Sequence, residues 1–139
     1  MDLYEQGLKY LAIREHSRFE LKQKLFKKCE DMASVEEVLN RLERENALSD
    51  KRFCESFLRS RLRKGIEGKN ILAMRLKTKG IDKTLATIEV NRFFEEYEDA
   101  INKAIKNQYE KVLRLKGEEK AKKMLYQKGL ASFTSEYYD

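Results

Sequence analysis

A chain of 139 residues with no proline and only six glycines has few of the residues from which tight strand-to-strand turns are built. It is rich instead in Leu, Lys, Glu and Arg, which favour helices joined by short connections. Charged residues make up 39% and apolar residues 41%. The Leu, Ile, Val, Phe, Tyr and Met positions recur at regular spacing, which argues for a packed core and against disorder. The length suits one domain, or several small units sharing a continuous core.

Local chemistry marks where the helices begin and end. Ser17-Arg18-Phe19-Glu20 and Ser34-Val35-Glu36-Glu37 both fit the capping box, in which Ser accepts from a first-turn amide and Glu reaches back. Ser49, Asp50 and Asp82 are further N-cap candidates. Gly80, Gly117 and Gly129 each follow a basic last turn, as a left-handed residue after a helix end would. These marks predict nine helices, over 2–16, 18–29, 35–46, 50–64, 68–79, 83–97, 99–116, 118–128 and 133–138. Apolar residues at helical spacing give the long ones a core face: Tyr4, Leu8, Leu11 and Ala12 in the first, Phe53, Phe57, Leu58 and Leu62 in the fourth. In the seventh, Ile101, Ala104, Ile105, Gln108 and Val112 do the same.

A repeat runs through this pattern. Leu25-Phe26-Lys27-Lys28-Cys29 aligns with Leu76-Lys77-Thr78-Lys79-Gly80 and with Leu125-Tyr126-Gln127-Lys128-Gly129. One turn earlier Leu21, Leu72 and Ala121 correspond, and after the turn Val35 and Val38 align with Leu85 and Ile88. The expectation is an all-α protein of three tandem three-helix repeats, at 1–48, 49–97 and a short third unit at 98–139. Stacked units of this kind share a core and form an elongated, curved helical body. Leu21, Leu25, Phe53, Phe57, Leu72, Leu76 and Ile88 are predicted to be buried.

The net charge of +6 is unevenly distributed. Residues 1–50 carry nine basic and eleven acidic side chains, and residues 81–139 carry eleven of each. Residues 51–80 carry ten basic and two acidic, a local +8 that favours a polyanion or an acidic protein surface. On the fourth helix Arg52, Ser56, Arg59 and Arg63 form one stripe, with Arg61 on the flank of the apolar face. Lys64 and Lys69 bracket the next turn, and Arg75, Lys77 and Lys79 follow. Arginine suits carboxylates and phosphates because its planar fork bonds two oxygens at once. The plain alternative is a solvated helix face with local pairs to Glu55 or Glu67, although two acids do not balance ten bases.

Nothing in the chain has the pattern of a catalytic, metal or cofactor site. His16 is the only histidine, and Cys29 and Cys54 lack a partner His and carboxylate at a recognisable spacing, so all three are read as structural. The acidic pairs Glu36-Glu37, Glu95-Glu96 and Glu118-Glu119 fall in first turns or on polar faces and are read as solvated. There is no GxxxxGK[ST] phosphate loop and no GxGxxG. No apolar run approaches a membrane span, Met1-Asp2-Leu3-Tyr4-Glu5 has no signal-peptide character, and isolated cysteines fit a reducing compartment. The expected location is the cytoplasm. The tail from Ser132 to Asp139 is polar and aromatic, suited to packing on the third unit or to docking.

Four segments give the chain a resemblance to a known family. They are Arg14-Glu15-His16-Ser17-Arg18-Phe19-Glu20-Leu21 with Leu25; Leu48-Ser49-Asp50-Lys51-Arg52-Phe53-Cys54-Glu55-Ser56-Phe57; Arg59-Ser60-Arg61-Leu62-Arg63-Lys64-Gly65; and Ile71 through Leu76 to Lys79-Gly80-Ile81-Asp82. In this order, over about residues 10–90, they resemble the RecX family of recombination regulators. Cys29 stands where a glycine commonly ends the equivalent helix, Cys54 replaces a small residue, and residues 99–139 match only loosely. The resemblance implies a cytoplasmic protein of three three-helix repeats without catalytic chemistry. It implies binding to the RecA recombinase filament on single-stranded DNA and restraint of recombination, ATPase and co-protease activities, within DNA repair and the SOS response. The basic middle is then the expected contact, with weak direct contact to nucleic acid beside it. A helical protein that binds DNA on its own account remains the alternative from the residues, since +8 over one segment also suits phosphates.

Overall fold

Side chains and turn residues close almost every helix end that the sequence marks. In the computed structural model, which describes residues 2–133, the elements are α1 (Leu3–Ile13), α2 (Arg18–Phe26), α3 (Met32–Arg44), α4 (Asp50–Lys64), α5 (Lys69–Thr78), α6 (Lys83–Glu96), α7 (Glu98–Lys116) and α8 (Glu118–Gln127). All are helices, and no strand occurs among the described residues. Ser17 forms the full capping box with Glu20, and Ser49 and Asp82 cap α4 and α6. A ninth helix expected at 133–138 lies, beyond Phe133, outside the described residues.

Three boundaries depart from the expectation by three residues, one of them the second helix, which ends at Phe26 and not at 29. The third helix starts at Met32, because the Asp31 carboxylate caps it by accepting from the Ala33 amide at 3.2 Å. Ser34, the expected cap, instead donates its hydroxyl to Asp31 at 2.7 Å. The first helix ends at Ile13, and Arg14 is extended, so His16 sits in a connection and not at a helix end.

The repeat is visible in the helix ends. After α5 and α8 the chain turns through Gly80 (φ +88°) and Gly129 (φ +71°), conformations that a side chain would strain. The next amides then bond back six-to-one, Ile81 to the Leu76 carbonyl at 3.1 Å and Leu130 to the Leu125 carbonyl at 2.7 Å. The first unit has Cys29 at this place, without the left-handed turn.

α1–α3, α4–α6 and α7–α8 stack in chain order into an elongated helical body. The core is not continuous, contrary to expectation. Leu21, Leu25, Val35, Leu39, Leu42 and Leu48 form one cluster in the first unit. The second and third units share another, in which Phe53, Leu58, Leu72 and Phe93 meet Ile101 and Leu125. Between the two cores the joint is polar. The Ser17 hydroxyl donates to the Lys79 carbonyl at 2.7 Å, and the Arg18 amide to the Asp50 carboxylate at 2.7 Å.

Leu21, Leu25, Phe53, Leu72 and Leu76 are buried as expected, whereas Phe57 is half-buried and Ile88 is 47% exposed. The Ile88 expectation fails by one residue of register. The 51-residue offset that relates Leu25 to Leu76 continues past the turn. It relates Val35, Leu39 and Leu42 to Ala86, Val90 and Phe93, all buried, and Val38 to the buried Glu89. A helix that turns 86, 89, 90 and 93 inward leaves 88 facing outward.

The second joint, between the turn before α5 and the end of α8, is closer still. The Gly68 amide donates to the Lys128 carbonyl at 2.7 Å, and a Cβ on Gly68 would collide with the Gly129 carbonyl oxygen. Gly68→Ala should therefore lower the unfolding free energy by about 1–3 kcal/mol, the usual cost of overpacking, in urea denaturation followed by circular dichroism. An unchanged midpoint would mean that the two turns do not touch.

Candidate nucleoprotein-binding face

The first repeat has slightly more acids than bases, and several of its cations pair with them. Arg18 pairs with Glu36 at 2.6 Å and also with Glu43, Lys22 joins Glu36 at 2.6 Å, and Arg41 meets Glu45 at 2.8 Å. Lys22 and Arg18 beside it hold the Glu36 carboxyl below its ordinary range. The second repeat has only Glu55 and Glu67 to offer over residues 51–80. Glu55 pairs with Lys51 at 2.7 Å.

Glu67 is buried in the turn between α4 and α5 and holds two of the predicted site residues. Arg75 grips it with a two-bond fork, Nε to Oε1 at 2.7 Å and a terminal nitrogen to Oε2 at 2.6 Å. Arg61 adds a bond at 3.1 Å. The Arg75 hydrogen bonds, ahead of burial, which opposes them, draw the Glu67 carboxyl below the usual carboxylate range. Arg52 is likewise held by partners and, like Arg61, is half-buried, whereas Arg75 stays exposed while it grips Glu67. Arg52 bonds the Glu15 carboxylate at 3.1 Å, the Asn46 side chain at 3.0 Å and the Ala47 carbonyl at 3.1 Å, which ties it to the joint between the first two units.

The other six predicted residues lie on the outer surface, although not in one stripe. Arg59, Arg63, Lys64, Lys69 and Lys77 are exposed and Lys79 is half-buried. Lys79 lies 5.6 Å from the Phe57 ring centre and Lys69 lies 5.4 Å from that of Phe94, where the ring face attracts a cation. Arg59 borders a small cavity of about 140 Å³ with Glu55, Glu89 and Arg92. Glu89 is buried there and held by Arg92 at 2.8 Å and 2.9 Å.

Arg63 and Lys64 open onto a larger groove of about 480 Å³ between the end of α4 and the side of α7. Its far wall carries Lys103, Asn107 and Lys111. Neither lysine was predicted as a site residue. Their eight-residue spacing, two turns on one helix face, is present in the sequence, but the even charge balance of residues 81–139 conceals it.

The residues read as structural are housed in that way. His16 is buried, its Nδ1 3.0 Å from the Arg14 carbonyl and its Nε2 2.8 Å from Lys24 Nζ. The ammonium donates to Nε2, so Nδ1 carries the proton, and burial holds the ring's pKa below the ordinary value. Burial, reinforced by Glu89, Asp50 and Glu55, pushes the Cys54 thiol up to about 12, which keeps it from acting as a thiolate at neutral pH. Among the described residues no group of His, Cys, Asp and Glu is arranged to hold a metal, and no helix is long and apolar enough to cross a membrane.

A helical-repeat protein with a basic outer face on its middle unit is the class that fold and site define. The model of the first three-helix domain of RecX matches residues 4–42, and that of the second matches residues 49–88. This chain belongs to the RecX family. It is 36% identical over 101 residues to the Regulatory protein RecX of Prosthecochloris aestuarii, covering 73% of this chain and 66% of that one. To the Regulatory protein RecX of Oceanobacillus iheyensis it is 29% identical over 133 residues, 93% of this chain and 49% of the other. The chain spans about half to two thirds of the length of the curated relatives it matches. The fold is also similar to the crystal structure of RecX from Lactobacillus salivarius, with a TM-score of 0.74, 24% identity and coverage of 91% of this chain and 85% of that one.

Neutralising Glu67 tests the turn that shapes this face. Glu67→Gln should cost about 1–3 kcal/mol at neutral pH, because Arg61 and Arg75 lose a charged acceptor. A carboxyl with a depressed pKa stabilises the fold above its unfolded value and loses that contribution as pH falls through the folded value. The gap between the two proteins should therefore close in acid, read from urea midpoints across pH. A gap that is constant with pH would show that the charge is not what matters.

Proposed function

We propose that this chain regulates a RecA-type recombinase by docking on its nucleoprotein filament on single-stranded DNA, through the outward cations of α4 and α5. The observation that carries this reading is the fate of the acids. Lys51, Arg61 and Arg75 occupy Glu55 and Glu67, while Arg59, Arg63, Lys64, Lys69, Lys77 and Lys79 face outward or lie against aromatic rings. A rigid face with that excess suits a filament whose surface offers carboxylates and whose bound strand offers phosphates. The resemblance in the sequence and the membership of the family supply the recombinase as partner.

Restraint of recombination, ATPase and co-protease activities then arises sterically, from an elongated body held along the filament. The chain contributes no catalytic group and no cofactor of its own to this mechanism, and it acts in the cytoplasm.

Arg59→Glu combined with Arg63→Glu tests the reading, since both side chains are exposed and helicity should be unchanged. The double variant should lose most of its inhibition of recombinase ATPase, at about 1–3 kcal/mol for each lost contact to a charged group. It should also co-sediment poorly with filaments. Full inhibition by the folded variant would reduce this face to solvated charge.

A further inference from the structure

The turn between the first and second helices of a repeat lies against the next repeat, except in the third. His16 and Ser17 are buried in the first unit, and Gly65, Ile66, Glu67 and Gly68 are all buried in the second. The third unit has Arg114, Leu115, Lys116 and Gly117 at this place, by the 49-residue offset that relates Leu76 to Leu125. All four are exposed, Leu115 to 63% where its counterpart Ile66 is 0% exposed. Among the described residues, nothing lies within 4 Å of where a Cβ on Gly117 would stand.

What meets the first two turns is the end of the following unit's second helix. Ser17 donates to the Lys79 carbonyl, and Gly68 to the Lys128 carbonyl. Lys28 is the third member of that set, 51 residues before Lys79, and among the described residues no repeat precedes its own. One end of the stack thus carries an uncovered turn, and the other end an uncovered helix end. We propose that these two surfaces dock on each other between copies of this chain, head to tail, so that the stack of repeats continues from one copy into the next.

Charge and shape favour a second copy as the occupant. In the first joint Phe19, two residues after Ser17, packs on Gly80, the neighbour of Lys79. The same placement sets Glu119, two residues after Gly117, against Cys29, the neighbour of Lys28. Glu119, Lys27 and Lys28 are all exposed, so opposite charges meet across the contact. A glutamate side chain can swing aside for Cys29, where the ring of Phe19 requires a glycine. Leu115 at one end, with Phe26 and Met32 at the other, supplies exposed apolar area to bury. Because the two surfaces differ, the contact is heterologous and does not close at two copies. This assignment is independent of the filament reading, since the chain is its own ligand.

The test is analytical ultracentrifugation of the full chain over a range of concentration, with neither recombinase nor nucleic acid present. The weight-average mass of wild type should climb past that of a dimer as concentration rises, and more so at low salt. Glu119→Lys and Lys28→Glu should each weaken association about ten-fold or more, because each sets like charges against each other. Mixing the two variants restores opposite charges at every contact between unlike copies and should restore association. Leu115→Gln, at an exposed position, should weaken it with helicity unchanged in circular dichroism. A monomer at every concentration would overturn the proposal. So would a mass that levels off at the dimer, which marks a self-complementary contact, or a mixture of the two variants that stays as weak as each alone. Filament co-sedimentation remains a separate measurement of the first reading.

Discussion

Two helix ends in this protein depend on donors that come from another repeat. The last carbonyls of any helix have no partner within it, and burying them unpaired is costly. At the end of α5 the Lys79 carbonyl is met by the Ser17 hydroxyl, and at the end of α8 the Lys128 carbonyl is met by the Gly68 amide. Ser17 and Gly68 are 51 residues apart, the same offset that relates Leu25 to Leu76. One joint is thus used twice with different chemistry. Where serine supplies a hydroxyl, the neighbouring glycine with Phe19 against it is Gly80, and where only a backbone donor is present the two glycines Gly68 and Gly129 come into contact. The position of each repeat, and so of the cations it presents, rests on these contacts.

The joint also explains why the arginines of the middle repeat do not share one role. Arg52 lies close enough to the first unit to bond Glu15 and the Asn46–Ala47 turn, and it works as a tie between repeats. Arg61 and Arg75 converge on Glu67, which fixes the α4–α5 turn. With those three committed to the fold, the remaining cations are left to the surface by the shortage of acids in residues 51–80. The charge excess and the rigidity of the face therefore share one origin.

Much of the fold was legible in the sequence because its signals are local. The Ser17 capping box, the Ser49 and Asp82 caps and the glycine stops fixed most helix ends, and repeated leucines fixed the unit length. What was missed required knowledge of partners. Asp31 outcompetes Ser34 as a cap because a carboxylate accepts from the helix while taking the serine hydroxyl as a second donor. The exposure of Ile88 follows from a constant offset that a loose alignment of apolar residues slipped by one. The division into two cores was hidden because the polar joint between them is built from residues that read as ordinary caps. Of the candidate site, residue types were legible but directions were not. Arg52, Arg59 and Arg63 share a helix face, yet only a neighbouring unit decides that Arg52 is tied to Glu15. Lys103 and Lys111 became site candidates only when α7 was brought beside the end of α4.

We propose that the outer face of α4 and α5, where the charge excess lies, is the part of the chain that meets the recombinase filament. Hydrogen exchange on the full chain, with and without filaments assembled on single-stranded DNA, tests it most directly. The account predicts slowed exchange in peptides spanning residues 59–79 and unchanged exchange across α3. Protection confined to α1–α3, with none over residues 59–79, would contradict it.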